Sequence, residues 1–214
     1  MLRTMKKTLV IKGLYAVTPE EKDLSLLSLK VESCIKGGAR IIQYRSKKLT
    51  KKEQYKQAEG IKTVCDQYKI PLIINDDIEL CRILDADGVH LGEYDDSLEK
   101  ARQELGPSKI VGVSCYNSIE RVEGAVNKDA NYIALGACFP TKSKSNAPKV
   151  PLSLIALVLK EFKIPLVAIG GINLKNIELL TCRGVNCVAV IDSLFNSKDI
   201  EGTAKQFSCL LKGN

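Results

Sequence analysis

Short apolar runs and longer amphipathic stretches alternate along the chain. Four of the runs sit inside one recurring phrase, a small turn segment followed by apolar residues: GGARIIQYR from 37, DADGVHLGE from 85, KDANYIALG from 128 and RGVNCVAVI from 183. Between them lie YKIPLIIND from 68, PSKIVGVSC from 107 and FKIPLVAIGG from 162, and KGLYAVTP from 12 brings the total to eight. Such β-branched, nearly continuous runs are what parallel strands covered on both faces require. The intervening stretches, among them LSLLSLKVESCIK, TKKEQYKQAEGIKTVCDQY and PLSLIALVLKEF, repeat apolar residues at helical spacing. Thr50 and Glu53 form a capping-box pair at the start of one of them. Eight strand and helix units without a linker predict an α/β fold, a closed (β/α)8 barrel in a single domain. An open doubly wound sheet is the alternative, because periodicity does not close a circle. Residues 1–12 read as a basic lead-in and 13–214 as the barrel and its catalytic domain.

Composition narrows this picture. With 45% hydrophobic residues in 214 the chain can bury a sizeable core, so disorder is not expected. The net charge of +7 suits an anionic partner, but no basic block is long and the chain has no Trp to stack bases. Small anionic substrates therefore fit better than nucleic acid. Eight cysteines contain no C-x-x-C pair and share the chain with one histidine, His90, so the usual structural zinc sets lack support. They read as small buried thiols in a reducing, cytoplasmic protein. The apolar run TLVI near the start is too short for a membrane span, so no membrane role is expected. A homo-oligomer stays open.

In such a barrel the chemistry gathers where the strands end. Strand two ends in QYRSK, where Gln43, Arg45 and Lys47 share a face by the two-residue period. Strand three supplies Asn75, Asp76 and Asp77, and strand four ends at His90 ahead of Glu93, Asp95 and Asp96. Strand five ends at Ser114, strand six runs into FPTKSKSNAPK, strand seven into IGGIN and strand eight into VIDSLF. Cations beside carboxylates on neighbouring strands can be mutual ion pairs at a rim. They also suit Mg²⁺ with a diphosphate, since Mg²⁺ takes few protein oxygens and Arg and Lys grip phosphate. Gly170 and Gly171 fit a tight turn, or a backbone that approaches a second phosphate near Ile191.

The ordered set QYRSK, NDD, GVHLGE, GVSCYN, FPTKSK and AIGGI resembles the thiamine phosphate synthase family along nearly the whole chain. The resemblance implies a TIM barrel that joins 4-amino-2-methyl-5-hydroxymethylpyrimidine diphosphate to a thiazole monophosphate and releases pyrophosphate. It assigns Gln43, Arg45, Lys47, Asn75, Ser114 and Lys144 to the diphosphate substrate. Arg45, Lys47, Ser114 and Lys144 would act in catalysis, and Asp76 and Asp95 would hold Mg²⁺. Thr141, Lys142, Ser143, Gly171, Ile191 and Asp192 would line the thiazole phosphate site. Strict alternation would turn Asp76 away from Asn75 and Asp77, so the choice of Asp76 comes from the family alone.

Two departures and two rivals accompany the resemblance. Asp192 stands where the family usually has serine, and a carboxylate repels phosphate unless it turns away; Ser143 replaces threonine but keeps the hydroxyl. A thiazole tautomerase on the same barrel is disfavoured, because that reaction is associated with a histidine after strand five, where this chain has SCYNS. A catalytically silent phosphate-binding barrel would not need the leaving-group residues. The lysine-bearing PTKSKSNAPK loop is expected to close over bound substrates.

Overall fold

The computed structural model describes residues 10–92, 97–141 and 149–212. Eight strands run in parallel: β1 (Gly13–Val17), β2 (Ala39–Tyr44), β3 (Leu72–Asn75), β4 (Gly88–Leu91), β5 (Ile110–Tyr116), β6 (Tyr132–Leu135), β7 (Leu166–Ile169) and β8 (Cys187–Val190). They pair in chain order and β8 returns to β1, so the sheet is a closed barrel and the open alternative is excluded. Around it lie α1 (Leu24–Lys36), α2 (Lys51–Tyr68), α3 (Ile78–Ile83), α4 (Leu98–Leu105), α5 (Ile119–Asn127), α6 (Leu152–Glu161), α7 (Glu178–Thr181), α8 (Asp192–Phe195) and α9 (Ile200–Lys212).

The strands look apolar throughout because both of their faces are buried. Outward residues such as Leu14, Ile42 and Ile74 pack with Leu27, Val31 and Ile61 of the helices in the larger core cluster. Inward residues such as Tyr15, Ile41, Ile73, Tyr132 and Val167 make a second, smaller cluster inside the barrel. Six of the cysteines are buried as expected, but Cys182 and Cys209 are exposed. Desolvation pushes the thiols of Cys34, Cys65, Cys81 and Cys115 up to about 12, which makes them apolar fillers.

Helix starts are capped on the barrel's carboxyl face, so that face carries many polar side chains for structural reasons alone. Asp23 accepts from the N–H groups of Ser25 and Leu26, and Thr50 and Glu53 complete the expected capping box. Among the described residues no helix is long and apolar enough to cross a membrane.

Candidate active site

A cavity of about 550 Å³ opens at the carboxyl ends of the strands. Its floor is the inward face of the barrel, where Tyr15, Gln43, His90, Ser114 and Tyr132 stand among Val17, Val167, Ile169 and Ala189. Asn75 links it to a second, polar cleft of about 590 Å³ that Lys47, Lys51, Asp76 and Asp77 line. Of the expected residues, Gln43, Arg45, Asn75, Ser114, Thr141, Gly171, Ile191 and Asp192 share the first space, while Lys47 and Asp76 border the second. Asp95, Lys142, Ser143 and Lys144 lie outside the described residues, as does most of the PTKSKSNAPK loop.

The charged side of the mouth is built from the ends of β1, β2 and β3. Strand β2 stops at Tyr44, so the two-residue period that groups Gln43 with Arg45 and Lys47 holds only for Gln43. Arg45 and Lys47 belong to the loop beyond and are placed by β1. Thr18 Oγ1 accepts from the Arg45 N–H at 2.8 Å and donates to the Arg45 carbonyl at 3.1 Å. Glu20 then takes the Arg45 guanidinium at 3.2 Å and the Lys47 backbone N–H at 2.9 Å.

On β3 alternation ends at Asn75. Asp76 adopts φ +64°, a left-handed conformation that Asp tolerates better than most residues. Its N–H stays on the ladder by donating to the His90 carbonyl at 2.8 Å, while its carboxylate meets the Lys47 ammonium. Asp77 serves the neighbouring helix instead, capping α3 by accepting from Leu80 N–H at 2.8 Å and pairing with Lys51. The Asn75, Asp76 and Asp77 run thus splits into a cavity residue, a rim carboxylate and a helix cap.

Asp76 is a hard oxygen donor beside a cleft able to admit phosphate and water. Among the described residues no group of three or more His, Cys, Asp or Glu side chains could hold a metal ion. That donor set fits Mg²⁺, which binds through one or two carboxylates and completes its shell with water and substrate oxygens.

The β7–β8 side is made of backbone. Gly170 and Gly171 have φ +98° and +65°, and a Cβ on Gly171 would stand 2.3 Å from the Pro140 carbonyl oxygen. The glycines therefore allow the β6 loop to press against the end of β7, where Phe139 N–H donates to the Gly170 carbonyl at 3.0 Å. A helix start at this point is not observed; α7 begins only at Glu178. Beside it, Ile191 precedes α8, Asp192 is exposed, and Ser193 Oγ donates to the Ile172 carbonyl at 2.5 Å. Opposite, β5 continues past its expected end at Ser114 to Tyr116, through an irregularity that lets Cys115 bury outward.

Sequence reasoning missed three residues of this region. Glu20 gives no local signal, since only the fold brings it to Arg45. Tyr15 and Tyr132 were legible in principle as hydroxyl-bearing residues within apolar runs that must bury them. His90 is 8% exposed and bonded at both ring nitrogens, to Tyr132 and Ser114, so it is a satisfied core residue that also lines the cavity.

Comparison with known proteins bears on this geometry. A family model described as thiamine monophosphate synthase matches residues 14–194. A thiamine-phosphate synthase of Methylobacillus flagellatus is 45% identical over 197 residues, covering 92% of this chain and 94% of its own. A solved thiamine phosphate pyrophosphorylase from Pyrococcus furiosus superposes with a TM-score of 0.85 at 29% identity, covering 98% of both chains. A 3-hexulose-6-phosphate synthase from Salmonella typhimurium, at 19% identity and a TM-score of 0.69 over 94% of this chain and 99% of its own, shares the barrel alone.

Proposed function

Since the chain belongs to the thiamine monophosphate synthase family and is a transferase that makes thiamine phosphate, we propose how its mouth divides that work. The pyrimidine diphosphate lies on the β2–β3 side and the thiazole phosphate on the β7–β8 side, within one catalytic unit spanning residues 13–214. The observation that carries this reading is the junction at Asn75, where a mostly apolar cavity meets a polar cleft edged by Lys47 and Asp76. A ring with a charged tail needs such a junction.

Gln43 and Asn75 hold the pyrimidine end, and Arg45, Lys47, Ser114 and Lys144 meet the diphosphate. The bond between the exocyclic methylene and the leaving oxygen breaks with its electron pair going to pyrophosphate. The aminopyrimidine ring delocalises the positive charge left on carbon. Negative charge grows on the leaving group, and pre-placed cations stabilise that change before bond cleavage is complete. Asp76 and Asp95 would hold Mg²⁺, which when bound would supply further positive charge to the leaving group. The thiazole nitrogen then attacks the methylene carbon, using its own lone pair. Val17, Val167, Ile169 and Ala189 keep water from the cation. Thr141, Lys142, Ser143, Gly171 and the backbone at Ile191 and Asp192 hold the thiazole phosphate, with Asp192 itself at the exposed rim of the cavity. Loop closure over both ligands completes the exclusion of water.

The test is to incubate the protein with both phosphates and Mg²⁺ and follow pyrophosphate and thiamine phosphate. Equal yields of both support the reading. No product would overturn it, and isomerised thiazole without coupling would point to a tautomerase.

A further inference from the structure

Five polar side chains cross the barrel interior in one unbroken line. Gln43 Nε2 donates to Tyr15 Oη at 2.9 Å, and that oxygen lies 2.9 Å from Tyr132 Oη. Tyr132 Oη lies 3.0 Å from His90 Nδ1, and His90 Nε2 lies 2.8 Å from Ser114 Oγ. The two ends, Gln43 and Ser114, are the residues placed on the diphosphate substrate above. The middle member, Tyr132, is fully buried and has no part in that reading.

Counting hydrogens gives the line a direction. The Gln43 amide nitrogen donates to Tyr15 and cannot accept in return, so the Tyr15 hydrogen finds its acceptor in the other partner, Tyr132 Oη. Tyr132 accepts there and gives its own hydrogen to His90 Nδ1. The imidazole is then neutral, with its hydrogen on Nε2 and aimed at Ser114 Oγ. Ser114 accepts that hydrogen and keeps its own for the cavity.

Packing holds the relay in place. A Cβ on Gly112 would stand 2.0 Å from Tyr132 Cζ, so the glycine makes the space that the phenol ring occupies. The ring stacks on His90 with centroids 5.5 Å apart and an interplanar angle of 19°, and meets Tyr15 edge-on at 6.0 Å. Burial also pushes the ionisation of Tyr15 and Tyr132 upward, which keeps both as O–H donors.

We propose that Tyr132 is a positioning residue: it holds His90 neutral with the hydrogen on Nε2, so that Ser114 offers a hydrogen, rather than a lone pair, to the departing diphosphate. The proposal rests on the reading of Ser114 as a diphosphate contact. As charge grows on the leaving group, each bond in the line polarises and strengthens the next.

The chain has a single histidine, so ¹⁵N-histidine NMR reads this one imidazole directly. The ligand-free protein should display a bare Nδ1 and a protonated Nε2. Tyr132→Phe should move both nitrogens toward a tautomeric average and lower kcat about tenfold, the lower end of losses for outer-shell partners, with KM for the thiazole phosphate unchanged. In a Ser114→Ala background the same change should cost nothing more. A protonated Nδ1 in the wild type, an unaltered tautomer in Tyr132→Phe, or an unchanged kcat overturns the proposal. If Tyr132→Phe does not fold, fluorotyrosine placed at position 132 makes a stronger donor of the same shape; a shifted Nδ1 signal supports the proposal and an unshifted one overturns it. The tautomer is read without substrates, so it stands apart from the diphosphate assignment, which pyrophosphate titration of the Ser114→Ala protein checks separately.

Discussion

On the proposed reading, the two sides of the mouth would meet their anions with different chemistry. The β2–β3 side presents ionised side chains, Arg45, Lys47 and Asp76, held by Thr18 and Glu20. The β7–β8 side presents backbone, brought into place because Gly170 and Gly171 let the β6 loop pack against the end of β7. Pyrophosphate leaves with growing charge, which cations fixed in advance can stabilise. A monophosphate that is only held needs fixed donors, which backbone N–H groups provide at little entropic cost.

The broadest test of this contrast undercuts both sides together. Cys34, Cys65, Cys81 and Cys115 are raised from 9.0 to about 12 by burial. Below pH 9 the thiols are protonated in both folded and unfolded chains, and the stabilisation is intact. Above it the unfolded chain ionises while the folded one resists, so each thiol lowers stability by about 1.4 kcal/mol per pH unit. Circular dichroism should record cooperative unfolding between about pH 9 and 11, with pyrophosphate and thiazole phosphate binding lost together; loss of one side well before the fold would mean that the sides rest on separate supports.

Asp76→Ala should next lower kcat by about 10² to 10³, by analogy with a lost oxyanion donor, while leaving thiazole phosphate affinity unchanged. Steady-state kinetics with each substrate varied checks this. Gly171→Ala should do the opposite. Its side chain meets the Pro140 carbonyl in a left-handed conformation, costing about 1–3 kcal/mol, and KM for the thiazole phosphate should rise roughly tenfold or more with kcat for bound substrates retained. If the two variants gave the same kinetic signature, the division of labour would be lost. The smallest effect is expected of Glu20→Gln, which removes a partly exposed brace. A change of about 0.5–1 kcal/mol should raise KM for the diphosphate two- to five-fold and spare the thiazole side.

How much of this was legible in the sequence varies by residue. Eight apolar runs with helical intervals foretold a barrel, and Gln43 and Asn75 on strands pointed inward as their spacing required. Arg45 and Lys47 were recognised by type but not by placement, because β2 ends at Tyr44 and a loop has no period. Asp76 borders the same polar cleft as Asp77, where alternation would have separated them, because a left-handed residue resets the count. The relay through Tyr132 was invisible, since its members come from five different strands.

By itself, then, the sequence determined the alternation of strands and helices, the chemical types at each strand end and the family. Those follow from local periodicity and residue chemistry, which neighbours along the chain suffice to express. Only the tertiary structure decided that the sheet closes, that Glu20 braces Arg45, that Gly171 yields to Pro140, and that Tyr132 connects the two ends of a hydrogen-bond line. Each of these depends on atoms distant in the chain meeting within a few ångströms, and no local pattern encodes such a distance.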